Sequence, residues 1–559
     1  MSDSKWTRRQ ALTSLSGGGL ALASCRDESP VETEMRITAE ILQAAQQVVG
    51  LDFTLPEREQ MLKRVNQSLE FFGNLRQFSL DNSVPPAIQF DPIPRGNVPD
   101  PPASQPATAT TPIPEVPGRL EDLAYWPLSW LAPAVKARKV SSVDLTRLYL
   151  ERLKKYDEKL ECVISYTEEL ALEQARRADR ELASGRYRGP LHGIPWGAKD
   201  LLAVRGYRTT WGATSHRDQT LDLDATVVRM LEEAGAVLVA KLSLGALAAV
   251  DVWYGGKTRN PWKLDEGSKG SSAGSAAATA TGLVGFSIGS ETMGSIVYPS
   301  ATCGVTGLRP TFGRVSRHGA MTLSWSLDKL GPICRSAEDC ALVFAAIHGL
   351  DPLDRTTRDR PFVWPVGDEL EGLRVGFAEK LFQEQENEAA KENDARSLEV
   401  FRSLGVELVP IELPKRPLAP ELILYTEAAA AFDEFTRNSQ DDLLREQEEN
   451  NWPNMFRQAR FVPAVEYIQA NRLRSLLMED MARLMSEIDA YLAPSFSYNV
   501  RLTNLTGLPC LALPNGFDPE GRPTSISLTG RLFDESRILA LGRAYQQVTD
   551  HHSQQPPGF

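Results

Sequence analysis

Two glycine-rich turns carry the residues best suited to chemistry. The first reads GSKGSSAGS, from Gly267 to Ser275, and the second GSETMGSI, from Gly289 to Ile296. Glycines let a backbone come close to a ligand and free its N–H groups. The Ala-rich stretch from Ala276 to Thr281 reads as a helix, whose start adds partial positive charge. In the second turn, Gly289 and Gly294 flank a tight stretch ending on Ser295. Consecutive N–H groups there could aim at a developing oxyanion. A helix and the short apolar run Leu283 to Ile288 join the turns, so the two can meet in space. The bland alternative for so many small residues is a flexible linker.

A serine nucleophile needs a base. Neither turn holds a histidine. Upstream, GPLHGIPWGAKDLL sets Lys199 after a short apolar segment and before Asp200. Burial disfavours the charged amine and lowers its pKa, so a buried lysine can act as a base. A lone lysine is more often a surface charge. Two other motifs are decoys. Gly270 to Gly274 satisfies G-x-S-x-G, but that elbow must follow a strand, and NPWKLDEGSKG before it is polar and Gly-rich. Gly256-Lys257-Thr258 mimics the end of a P-loop, yet Asp251 stands where its first glycine belongs.

These residues need a frame. Ser142-Val143-Asp144-Leu145 opens an amphipathic helix, and Leu170 to Ala183 is another. ATVVRMLEEAGAVLVAKLSL reads as helix, Gly stop, then a strand from Ala236 to Ala240. LRVGFAE, AYLAPS and CLALP read as further strands, and Arg472 to Ile488 as a helix. Alternating elements with apolar strands predict a layered α/β fold with a parallel or mixed sheet.

The chain has 559 residues, enough for a large catalytic domain with additions. Its net charge is −12 with both signs spread along it, unlike the basic face of a nucleic-acid binder. No apolar run is long enough to span a bilayer. The six cysteines form no CxxC pair, and the six histidines show neither HxxxH nor HExxH, so no metal site is expected. Residues 1–25 read as an export signal. Arg8-Arg9 precedes a weakly apolar run, and Leu22-Ala23-Ser24-Cys25 looks like a lipobox with Cys25 as the acylated residue. Residues 31–83 read as a small helical extension. The stretch 84–118 is a Pro-rich linker, with eleven prolines between Val84 and Pro117. The catalytic domain then spans 119–555.

The chain resembles the amidase signature family. GIPWGAKD carries that family's lysine motif, and GSSAGSAAATATGLVGFSIGSETMGSI its Gly/Ser-rich signature. PSATCGVTGLRPTFGRVS resembles the segment that follows, and the likeness runs from about Leu120 to Gln547. The resemblance implies a Ser–cisSer–Lys triad: Ser295 as nucleophile, Ser271 as bridging serine, Lys199 as base. It implies a cis peptide bond before Ser271, and an oxyanion hole from the backbone N–H groups of Thr292, Met293, Gly294 and Ser295. It also implies no cofactor, and a large mixed β-sheet covered by helices on both faces. Glu291 and Met293 depart from the commoner Asp and Gly of that turn. Arg309 stands where many members have Lys, and reads as structural.

The expectation is an exported amidase, periplasmic or held to the membrane by a lipid on Cys25. It would act on a small-molecule amide or peptide amide, with no nucleic-acid partner. The alternative within the family is the glutamine-hydrolysing component of a tRNA-dependent amidotransferase, which works in the cytoplasm. A catalytically dead binding module is a third class, disfavoured by intact Lys199, Ser271 and Ser295.

Overall fold

The computed structural model describes residues 36–75, 77, 81–84, 86, 88–93, 115–366, 370–417 and 420–559. The expected export segment with Cys25, and most of the Pro-rich stretch, lie outside the described residues. The chain forms two compact units, one ending at Phe78 and one running from Ser79 to Phe559.

The first unit holds helices α1 (Ala39–Val48) and α2 (Leu55–Leu75). Thr38 caps α1 by accepting the Ile41 N–H. Glu57, in the first turn of α2, accepts from the Thr54 amide and hydroxyl, both at 2.7 Å. Asn66 ties the start of the unit to α2 by exchanging two hydrogen bonds with the Ile37 backbone. Ile41, Leu42, Ala45, Val48 and the C-cap Val49 form an apolar stripe at helical spacing along α1, yet Ile41 and Val48 are exposed, and the buried residue of α1 is Gln46. Two helices of this length cannot enclose a core of their own.

The boundary between units falls at 78–79, earlier than the change in composition at 84. Asn82 exchanges two hydrogen bonds with Thr322, and the Phe90 ring meets Phe312 edge-on at 5.0 Å.

The second unit is built on an eleven-stranded sheet. We number its strands β1 (Val163–Tyr166), β2 (Pro195–Lys199), β3 (Val237–Leu242), β4 (Phe286–Glu291), β5 (Thr306–Arg309) and β6 (Lys329–Cys334). Then come β7 (Arg374–Ala378), β8 (Glu407–Ile411), β9 (Ala490–Pro494), β10 (Cys510–Phe517) and β11 (Pro523–Gly530). Their spatial order is β1-β3-β2-β4-β6-β5-β10-β11-β9-β7-β8. β3, β2 and β4 are parallel, as are β9, β7 and β8, while the other pairings are antiparallel. The sheet is therefore mixed, and helices flank it. β2, β3 and β4 are buried along their whole length, and their sequences are small and apolar but for Lys199, Lys241 and Glu291.

Two expected boundaries move. The Ala-rich helix α3 (Ala273–Ala280) starts three residues before the expected Ala276. The helix expected from Arg472 runs from Ala464 to Ser486. Its first turns expose Val465 and Ile468, so no core-facing stripe marks its start.

Candidate active site

Strand topology brings the two chemical segments together. β2 and β4 are parallel neighbours, with Ala198 level with Ile288. Both chains therefore leave the sheet at one edge, where ligands gather in parallel α/β sheets. Lys199 ends β2, and the turn from Thr292 to Ile296 follows β4. Helix α3 lies against β4 closely enough for side chains to meet backbone. Ser275 donates to the Ile288 carbonyl at 3.2 Å, and Ser287 donates to the Ser275 carbonyl at 2.9 Å. A Cβ on Gly274 would fall 2.5 Å from the Cys162 carbonyl, and one on Gly289 would fall 2.8 Å from the Ser272 hydroxyl. The small residues are thus a packing requirement, and the linker alternative is excluded.

Lys199 is fully buried and surrounded by serine oxygens. Its Nζ lies 2.9 Å from Ser271 Oγ, 3.0 Å from Ser272 Oγ, 2.9 Å from Ser290 Oγ and 3.3 Å from the Ser290 carbonyl. No carboxylate touches it. Burial pushes its amine well below the usual lysine range, and the more distant charges of Asp328 and Glu291 only partly oppose this. The Ser272 hydroxyl donates to the Ser290 carbonyl at 3.0 Å and accepts from the Ser290 amide at 3.1 Å. Its one proton is therefore committed, and it can only accept from Lys199. A neutral amine has two N–H groups for Ser272 and Ser290, and one lone pair left to face Ser271.

The peptide bond Gly270–Ser271 is cis. The Ser272 amide donates to the Ser295 carbonyl at 3.1 Å, which holds the second turn beside Ser271. Ser271 is buried and Ser295 half-buried, so the second turn meets solvent. Among the described residues the Ser295 hydroxyl makes no hydrogen bond, so the contact between the two serine hydroxyls is open here. Such links are commonly looser without substrate. Gly294 has φ +105°, a conformation that favours glycine. Among the described residues, no backbone hydrogen bond draws on the N–H groups of Thr292 to Ser295.

Behind this turn sits a buried charged cluster. The Glu291 carboxylate accepts from the Ile296 and Val297 amides at 2.8 and 2.9 Å, from Arg309 at 2.7 Å and from Asn504 at 2.7 Å. Burial pushes this carboxyl up, but Arg309, Lys329 and its hydrogen bonds outweigh it, leaving it below its ordinary value. Arg309 also donates to the Leu508 carbonyl, and Lys329 to Asn504 at 2.6 Å. Both departures in the turn have a place: Glu291 pins the backbone just after Ser295, and Met293 packs half-buried against the main core.

The residues that sequence reasoning misses are Ser272, Ser290 and Asp328. The serines lie inside the motifs, but only the fold shows their hydroxyls on Lys199. Ser272 is also the serine of the G-x-S-x-G decoy. A short strand, Lys263–Gly267, does precede it, contrary to expectation, but the hydroxyl is buried and tied to Lys199 and Ser290. A cavity of about 1330 Å³ lies elsewhere, against Phe90, Trp325 and Arg474, and touches none of Lys199, Ser271 or Ser295. Cys162, Cys303, Cys334, Cys340 and Cys510 are buried and unbridged. Among the described residues there is no cluster of three or more His, Cys, Asp or Glu fit to hold a metal ion, and no helix long and apolar enough to cross a membrane.

Comparison with known proteins gives a consistent result. The Amidase family model matches residues 144–500. The A subunit of glutamyl-tRNA(Gln) amidotransferase from Methylococcus capsulatus is 34% identical over 480 residues, covering 77% of this chain and 99% of that protein. The protein of the same name from Nitrosococcus oceani is 34% identical over 484 residues, with the same coverage. Among solved structures, native peptide amidase from Stenotrophomonas maltophilia matches with TM-score 0.69 and 29% identity, over 78% of this chain and 99% of that one. An amidase family protein from Bacillus anthracis matches with TM-score 0.71 and 25% identity, over 80% of this chain and 95% of that one. The amidotransferase relatives correct one expectation. Net charge argues against nucleic acid as a partner, yet relatives matched over nearly their whole length are named for a tRNA. A charge average over a large chain does not report a partner reached through a complex. The lysine motif, the Gly/Ser-rich signature and the family match agree, and the chain belongs to the amidase signature family of Ser–cisSer–Lys hydrolases, enzymes of the amide C–N bond.

Proposed function

We propose that this chain cleaves a primary carboxamide through an acyl-enzyme on Ser295, and that the amide is the side chain of glutamine in a tRNA-linked amidotransferase. The observation that carries the chemistry is Lys199, buried with only hydroxyl and carbonyl oxygens around its amine. Burial favours the neutral amine of such a lysine, the form that can accept a proton. Ser295 Oγ attacks the carbonyl carbon. Its proton passes to Ser271 Oγ, and the Ser271 proton passes to Lys199 Nζ. The oxyanion takes hydrogen bonds from the N–H groups of Thr292 to Ser295. The C–N bond then breaks, Lys199 returns the proton through Ser271 to the leaving nitrogen, and ammonia departs. Water, deprotonated by the same relay, releases the carboxylate and frees Ser295. The glutamine reading is supported by the amidotransferase relatives, 31–34% identical over nearly their whole length.

A second reading, hydrolysis of a peptide amide outside the cytoplasm, is favoured by the Arg8-Arg9 pair and Leu22-Ala23-Ser24-Cys25. The likeness to a peptide amidase also supports it. Ammonia release from free glutamine and from a C-terminally amidated dipeptide, each with Ser295→Ala as control, separates the readings. Glutamine turnover that rises with charged tRNA and co-purified partner proteins supports the first. Turnover of the dipeptide amide alone, with the native chain recovered outside the cytosol, overturns it.

A further inference from the structure

We propose that Asp328 is a positioning residue for the oxyanion turn, holding Thr292 by its side chain. This rests on the reading of Ser295 as nucleophile. Thr292 leaves β4 immediately after Glu291, and Asp328 immediately precedes β6. Because β4 and β6 are antiparallel with Glu291 opposite Lys329, the register sets Thr292 and Asp328 face to face. The Thr292 hydroxyl donates to Asp328 Oδ1 at 2.6 Å, a short bond to a charged acceptor. Asp328 Oδ2 accepts the Leu323 and Ser324 amides at 2.8 and 2.9 Å.

The loop that carries these amides is itself fixed. Ser324 and Ser326 donate to Glu427 at 2.6 and 2.7 Å, and Arg474 donates to Ser326 at 2.9 Å. Asp328 is thus anchored to a rigid loop on one side and grips the oxyanion turn on the other. Glu291 secures the far end of the same turn through the amides of Ile296 and Val297. The N–H groups between these two clamps are the ones that would meet the oxyanion, and they stabilise it only if held in place before the reaction.

Burial pushes the Asp328 carboxyl up, and the hydrogen bonds from Thr292, Ser324 and Leu323 and the charge of Arg317 oppose this. Arg317 approaches it, but is paired with Asp354 at 3.3 Å and reaches only the Asp328 carbonyl, at 3.5 Å. Lys329 turns away to Asn504, and Arg309 is held by Glu291.

The test uses the full chain and a fluorophosphonate, read by intact mass, so it needs no knowledge of the substrate. Ser295 Oγ displaces fluoride from phosphorus and gives its proton to the relay. Loss of labelling in Ser295→Ala identifies the site. A wild-type chain labelled no faster than Ser295→Ala overturns the nucleophile reading itself. Given wild-type labelling, Thr292→Val and Asp328→Asn each slow it by about 10–100-fold, below the effect of deleting an oxyanion donor outright. Thr292→Ser, which keeps the hydroxyl, stays within about threefold, and the double variant is no slower than the slower single, as expected of one shared interaction. Thr292→Ser as slow as Thr292→Val, or losses that multiply in the double variant, would each overturn the proposal.

Discussion

Two buried lysines stand on adjacent parallel strands and meet opposite fates. Lys199 ends β2, and Lys241 lies on β3 level with Ala198. Both are fully buried, and burial lowers the pKa of both. Lys241 Nζ has Asp200 at 2.7 Å, the Arg208 carbonyl at 2.9 Å and Thr209 Oγ1 at 3.1 Å. Lys199 has hydroxyls and one carbonyl. The carboxylate next in sequence to Lys199 is thus spent on the other lysine. Burial alone does not make a base. A buried lysine becomes one when its counter-ion is withheld.

Substitutions at the two lysines should part accordingly. The largest effect is on turnover: Ser295→Ala abolishes it, and Lys199→Met or Ser271→Ala lowers kcat by about 10³-fold or more, each breaking one catalytic unit. Steady-state rates on any amide that the wild type cleaves check this. Next, Lys241→Met leaves Asp200 buried without its partner and lowers stability by about 3–5 kcal/mol, read in denaturant unfolding. Activity per folded molecule falls far less than in Lys199→Met. Equal loss of kcat at both positions would erase the distinction.

The pH dependence sharpens it further. Activity should require neutral Lys199, persist at pH 7, and fall as pH drops through the lysine's folded pKa, well below the usual lysine range. The smallest effect is on stability. The folded pKa of Lys199 lies below its unfolded value, so between the two the unfolded chain binds more protons. Wild-type stability therefore rises with pH across that window. Lys199→Met removes this slope and leaves stability unchanged or higher at pH 7, whereas Lys241→Met lowers it. Unfolding curves at several pH values show which holds.

The sequence makes the relay legible and its surroundings far less so. Lys199, Ser271 and Ser295 sit in motifs with a chemical reason for each residue type. The buried parallel strands are readable as apolar runs. Nothing in the sequence pairs Thr292 with Asp328, or Glu291 with Asn504, 213 residues away. Those contacts follow from strand order, with β6 inserted between β4 and β5, and no local periodicity encodes that order. The α1 stripe misleads for the opposite reason: its period is helical, but the apolar side chains at Ile41 and Val48 stay exposed. The excluded nucleic-acid partner fails similarly, because net charge averages over surfaces that act separately.

The charge of Lys199 is the central claim, and it can be measured directly. In full-length Ser295→Ala protein labelled with 15N-lysine, the Lys199 and Lys241 Nζ signals are assigned by their loss in Lys199→Met and Lys241→Met. At pH 7 the Lys199 signal should have the shift of a neutral amine, while that of Lys241, paired with Asp200, should be ammonium-like. A Lys199 signal that is ammonium-like at pH 7, and titrates alongside Lys241, would contradict the account.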